Sequence, residues 1–309
     1  MTDPAPVVTL IPRLTFSWVR LKALALNNVS SVHTRRAYAH ALDAFHAWHR
    51  SDEHGPFSPM VVQQYREELK HQARASSTIN VQLAALRKLA SEAAENGLLP
   101  PEVAAGITKV RGVRQAGVRT ANWLTRDQTE QLLRLPDVSR AKGRRDQALL
   151  ALFVGCGLRR SELAVLSVEH IQQRGGRWLI VDLIGKGQRV RSVPMPSWAK
   201  AAVDRWTEPA GIVEGRILRA INKADRIVGD RMTPQSIFEI VERYSHTLGV
   251  PVAPHDLRRT FAKLAHCGQA PVEQIQFSLG HASLQTTERY LGLEQDLLDA
   301  PCDRLGVQI

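Results

Sequence analysis

Apolar positions in the first hundred residues recur at three- and four-residue steps, the period of helices with one buried face. Leu14, Trp18, Leu21, Leu24 and Leu26 form the first such face. Ala37, Tyr38, Ala41, Leu42, Phe45 and Trp48 form a second, behind Ser31 or Thr34 as its cap. Ser58-Pro59 opens a third, running through Val62, Tyr65 and Leu69. Ser76, Ser77 or Thr78 opens a fourth, with Ile79, Leu83, Leu86 and Leu89, and Gly97 ends it. None of these segments alternates with the period of a strand, so residues 15–100 read as an all-α helical bundle. Pro100-Pro101 breaks the pattern. Residues 101–120 then carry Lys109, Arg111, Arg114 and Arg119 among three glycines, and read as a flexible basic linker.

A second domain is expected over residues 121–309, starting with a helix capped by Thr125. Helices are predicted near 148–154, 197–206, 214–228, 234–248, 256–266, 271–278 and 283–289. Residues 178–183 and 190–193 have strand composition and flank the turn Gly185-Lys186-Gly187. The fold class is therefore mainly α with two domains. The N-terminal one is all-α, and the C-terminal one is mixed α+β, mostly helical with a small antiparallel sheet.

Composition adds a partner. A chain of 309 residues can bury two cores. Its formal charge of +11 points to a polyanion. The excess is spread: residues 1–115 hold 14 Lys and Arg against 9 Asp and Glu, and residues 116–309 hold 27 against 21. Both halves can thus grip a duplex as a clamp, with the linker as a strap along the backbone. Arginine supplies 32 of the 41 cations, and its planar fork suits bidentate phosphate contacts. Cys156, Cys267 and Cys302 lie far apart with no paired spacing, which excludes a zinc site or disulfide framework and fits a reducing cytoplasm. The opening MTDPAPVVTLIPRL lacks the form of a signal peptide. No apolar run reaches the roughly 18 residues that a membrane span needs.

Four motifs carry candidate chemistry. In GCGLRRSEL, paired glycines make a turn that leaves Arg159 at a helix start, with Glu162 three residues on to orient it. Arg160 either touches a DNA backbone or is solvated. In IGKGQRV, Lys186 sits at a hairpin tip, where its ammonium can protonate a departing oxygen. In PHDLRRTFA, His255 and Arg258 share one face of a helix start, which itself favours an anion. Arg258 is a second phosphate clamp and His255 a proton acceptor or phosphate donor, with Arg259 beside them as a DNA contact. In LGHASLQTTERY, Gly280 ends one helix, Ser283 caps the next, and Tyr290 stands near its end. A tyrosine attacks phosphorus only where cations and a base favour the phenolate. Each motif alone is ordinary packing or surface; in this order they form one kit for DNA strand transfer.

These motifs, G-L-R-x-S-E-L, G-K-G, H-x-L-R and L-G-H-x(4)-T-T-x-x-Y, resemble those of the tyrosine recombinase (phage integrase) family. The likeness is strong from about 145 to 292 and a pattern match over 15–100. The resemblance implies a SAM-like core-binding domain followed by a catalytic domain, the two-domain Xer-like form. It implies Tyr290 as the nucleophile forming a 3′-phosphotyrosine, and Arg159 and Arg258 as the transition-state clamp. Lys186 is then the general acid, His255 the general base, His281 a phosphate-holding and packing residue, and Glu162 a support for Arg159. Cys156 departs from the commoner threonine. No cofactor and no metal are implied. Double-stranded DNA sites are the expected partners, with a tetramer forming on DNA and strand exchange through a Holliday junction; a second recombinase or accessory factor is an open addition. The segment 293–298 is left open between docking on its own domain and on a neighbouring protomer. A type IB topoisomerase, a telomere-resolving enzyme and a DNA-binding protein with a decayed site are the rival readings.

Overall fold

Helices of the first part of the chain begin where local chemistry starts them. In the computed structural model, which describes residues 18–51, 54–114, 123–185, 189–281 and 283–291 without the side chains of 289 and 290, the chain divides into two compact units, Met1–Val118 and Arg119–Ile309. The first unit holds α1 (Trp18–Asn27), α2 (Val32–Ser51), α3 (Pro59–His71), α4 (Ser76–Glu95) and α5 (Pro101–Lys109). Ser58 accepts the Val61 N–H and Pro59 fills the first turn of α3, as expected. Of the two cap candidates for α2, Ser31 does the work, accepting from Thr34 N at 3.4 Å. Helix α4 starts differently from the prediction: Ser76, Ser77 and Thr78 lie inside it, and its N-cap, Ala75, makes no side-chain cap.

Most of the predicted stripes form the core, while Ala37 is exposed and Leu24 half-buried outside it. Leu42, Phe45, Val62, Tyr65, Leu69, Ile79, Leu83, Leu86 and Leu89 are all buried in one cluster. Leu14 lies outside the described residues.

The linker reading needs correcting over its first half. Helix α4 has already ended at Glu95, and Pro100 and Pro101 start the next helix instead, because proline at a first helical position loses no hydrogen bond. Helix α5 buries Ala104 and Ile107 in the unit's core. The chain beyond it is held by side chains. Arg87 donates to Val110 O at 2.5 Å and Arg66 to Arg111 O at 2.9 Å. Asn80 both donates to Val113 O at 2.9 Å and accepts from Val113 N at 2.8 Å. Lys109, Arg111 and Arg114 remain exposed on this unit. Arg119 lies outside the described residues.

The second unit holds α6 (Arg126–Arg134), α7 (Ala141–Cys156), α8 (Arg160–Ala164), β1 (Ile171–Arg174), β2 (Arg177–Ile184), β3 (Val190–Pro194), α9 (Ser197–Thr207), α10 (Pro234–Leu248), α11 (Pro254–Cys267), α12 (Val272–Leu279) and α13 (Leu284–Leu291). Thr125 caps α6 reciprocally with Gln128. Helix α7 is buried nearly all round, from Ala148 to Cys156, and packs against α9 and α11. The strands form one antiparallel sheet in the order β1-β2-β3. Strand β1, too polar to read from sequence, pairs with β2 through Ile171↔Ile180.

The expected helix over 214–228 is absent. Gly215 and Asp225 take positive φ of 73° and 59°, which no continuous helix accommodates. Isolated bridges Ser167↔Arg216 and Ile221↔Ile227 replace it. The Asp225 carboxylate accepts from Ala141 N at 2.8 Å and Lys142 N at 2.9 Å, so this loop caps α7 from far along the chain.

Thr260 joins the segment before α6 to α11: its Oγ1 accepts from Leu124 N and donates to Asp256 O, each at 2.9 Å. Thr260→Val keeps the shape but leaves a buried N–H without a partner. We expect urea unfolding to show a loss of about 1–3 kcal/mol, with Thr260→Ser near wild type.

Candidate active site

Two left-handed glycines set the frame. Gly157 ends α7 at φ 58° and directs the chain into Arg159, the N-cap of α8. The space over Gly157 is filled by Phe261 of α11, 2.6 Å from where a Cβ would stand. Gly155, expected to share the turn, lies inside α7. Gly280 ends α12 at φ 61° and directs the chain into His281. Cys156, the departure from the family pattern, is fully buried. Burial pushes its thiol up to about 12, so it packs and does not react.

The two predicted arginines converge on these turns. Arg258, 1% exposed, donates to Gly157 O and Leu279 O. Arg159 donates to Gly280 O at 3.3 Å. Successive carbonyls before His281 are thus held by guanidiniums from two separate motifs. Glu162 binds Arg159 as predicted: it accepts from Arg159 N and from Nη1, both at 2.7 Å.

Sequence reasoning missed Arg191, placed in a strand and given no role. It donates from Nη1 and Nη2 to the two oxygens of Glu162, at 2.8 and 2.9 Å, and from Nε to Ser278 O at 2.9 Å. The usable signal was a lone arginine among the apolar positions of β3. Burial alone would raise the Glu162 carboxyl. The Arg191 bonds, the Arg159 N–H and then the remaining arginine interactions outweigh it and hold the pKa at about 2.

Thr287 was also missed, although it stood inside a quoted motif. It is fully buried, and its Oγ1 pairs with His281 Nδ1 at 2.9 Å. Ser283 caps α13 as expected, accepting from Thr286 N at 3.4 Å. Burial, then Arg258, Arg159, His255 and Arg191 push the His281 pKa down to about 4. His255 is exposed at the start of α11. Even so, the atoms crowding its ring, then Arg258 and Arg259, hold its pKa below the ordinary value against the pull of Asp256. Both imidazoles are therefore neutral at physiological pH, the form that can accept a proton.

Other predicted residues divide. Arg160 is half-buried with its guanidinium 5.6 Å from the Phe238 ring centre, and Arg259 is half-buried on α11. Lys186 lies outside the described residues. The strands that flank it pair as Ile184↔Val190, so the turn joins a hairpin as expected. Tyr290 falls on α13, which packs against α11 and α12, while its side chain lies outside the described residues. Among the described residues, no group of three His, Cys, Asp or Glu is placed to hold a metal, and no helix is long and apolar enough to cross a membrane.

Comparison with known proteins agrees with this geometry. Residues 122–296 match the phage integrase family, and residues 21–97 match the phage integrase N-terminal SAM-like domain. The tyrosine recombinase XerC of Pseudomonas putida is 30% identical over 284 residues, 88% of this chain and 89% of that protein. XerC of Thermodesulfovibrio yellowstonii is 28% identical over 275 residues, 87% and 89% of the two chains. Among solved structures, the XerH site-specific recombinase bound to difH substrate shares the fold with a TM-score of 0.66 at 18% identity, over 91% of this chain and 82% of that one. A lambda integrase dimer bound to a COC′ core site gives 0.67 at 15%, over 91% and 98%. The chain belongs to the phage integrase family. Within it, the chain is a tyrosine-type site-specific recombinase.

The His281 pKa makes a prediction for the DNA-free protein. The folded chain binds this proton more weakly than the unfolded chain, whose pKa is near 6.5. The stability it contributes is present above pH 6.5 and is lost as pH falls through about 4. Thermal midpoints recorded across that window should drop less steeply for His281→Asn than for wild type.

Proposed function

We propose that the chain cleaves and rejoins double-stranded DNA through a 3′-phosphotyrosine, with Arg159, Lys186, His255, Arg258, His281 and Tyr290 as the catalytic set. One observation carries this reading. Arg159 and Arg258, from separate motifs, bind the successive carbonyls of Gly280 and Leu279 beside His281, with neutral imidazoles close by. Such fixed cations are worth most where a transition state gathers charge away from water.

In this mechanism, the Tyr290 phenol oxygen attacks phosphorus while His255 takes its proton. The two guanidiniums hold the non-bridging oxygens. A bond to the 5′-oxygen breaks as the bond to tyrosine forms, and Lys186 protonates the leaving oxygen. The number of phosphoester bonds is conserved, so the reverse step needs no energy source: a 5′-hydroxyl attacks the phosphotyrosine and His255 returns the proton. Exchange between two duplexes then passes through a Holliday junction, with four protomers assembled on DNA. The basic excess of both units supports a contact with duplex backbone from each, through Lys109, Arg111 and Arg114 in the first and Arg160 and Arg259 in the second, with Arg119 between. Binding should weaken steeply with salt.

The direct test uses a nicked suicide substrate from the DNA flanking the gene, with EDTA present and a denaturing gel as readout. Wild type should give a covalent protein–DNA adduct, and Tyr290→Phe should bind equally and give none. Adduct from the phenylalanine variant would move the nucleophile elsewhere. Lys186→Ala should slow cleavage, and a 5′-bridging phosphorothiolate, whose sulfur leaves without a proton, should restore it; a rate that stays low would remove the general-acid role.

A further inference from the structure

Arg191 lies outside every motif that marks the site, yet it reaches three of the four. It is only 10% exposed and makes the two-pronged bond to Glu162. Its Nε holds Ser278 O, two residues before the Gly280 turn. Its side chain lies against Gly280 itself: a Cβ there would stand 2.8 Å from Arg191 Cδ. Its Nη1 also lies 3.3 Å from the Cβ position of Gly185, the residue at the root of the lysine turn. Three of the five N–H donors of a guanidinium are thereby engaged by protein acceptors.

We propose that Arg191 is the positioning residue of this site, which it serves without holding the phosphate. It fixes Glu162, and through Glu162 the reach of Arg159. The same side chain braces the turn that presents His281 and the root of the hairpin that carries Lys186. Its charge has a second effect. Glu162 lies between two guanidiniums and cancels one of them, so Arg159 keeps a carboxylate partner while the cluster stays positive. Lysine cannot replace it, since one ammonium cannot form the planar double bond to a carboxylate and also reach Ser278 O. This proposal rests on the recombinase reading for its catalytic consequence, but its geometric content stands apart from it.

The test is Arg191→Lys in the full chain. Thermal midpoint and DNA affinity should stay close to wild type. Single-turnover cleavage of the suicide substrate should fall roughly a hundredfold, the scale of a misplacement of about 1 Å in a reacting constellation. In the DNA-free protein, amide resonances of Gly185, Gly280 and His281 should move while those of α9 stay in place. If Arg191→Lys is destabilised, the same spectrum is recorded at a temperature below its midpoint, where the variant is folded. Cleavage at the wild-type rate, or resonances unmoved in the folded variant, would overturn the positioning role. Moved resonances with no adduct from wild type would sustain the positioning role and defeat the recombinase reading instead.

Discussion

A single carboxylate organises the catalytic unit. Glu162, 3% exposed, is shared between Arg159 and Arg191 and accepts a backbone N–H as well. Burying such a group alone would be prohibitive, and removing either partner from a buried pair leaves an uncompensated charge. The three groups therefore hold one another in place. Because Arg159 sits at the start of α8, Arg191 on β3 and their further acceptors at the end of α12, the ion cluster ties three distant segments into one surface.

The hydrophobic architecture serves this arrangement. Helix α7, buried nearly all round, brings Gly157 to the edge of the core and ends there. Phe261 closes over that glycine, and Arg258, one turn earlier on α11, reaches back to its carbonyl. The three-stranded sheet delivers Arg191 on β3, and the lysine turn joins β2 to that same strand. Positive charge accumulates where these elements meet. Burial first, and this charge after it, depress both imidazoles.

The two XerC relatives compared above are 28% and 30% identical to this chain. Solved structures at 18% and 15% identity still share the fold. In this chain the charged side chains of the candidate site depend on a backbone conformation or a buried partner. The rest of the core requires only apolar volume at the right period.

Periodicity alone determined the first unit's core, since one-faced helices leave a repeating apolar signature, and local caps such as Ser58 and Thr125 determined where helices start. The motifs also named most residues of the candidate site, because glycine, arginine and histidine spacings are constrained by short-range geometry. Contacts made across long sequence distances were not legible. Helix α5 looked like linker because two prolines mark a start as readily as a stop. The 214–228 loop looked helical because its apolar Ile217 and Leu218 are buried in the core, while the contacts that shape it, Asp225 with the start of α7 and Arg216 with Ser167, lie far along the chain. Arg191 and Thr287 gained their roles only when folding set them against Glu162 and His281. A sequence records the period of burial and the chemistry of turns; which charge meets which partner is decided by the tertiary structure, because that pairing has no period.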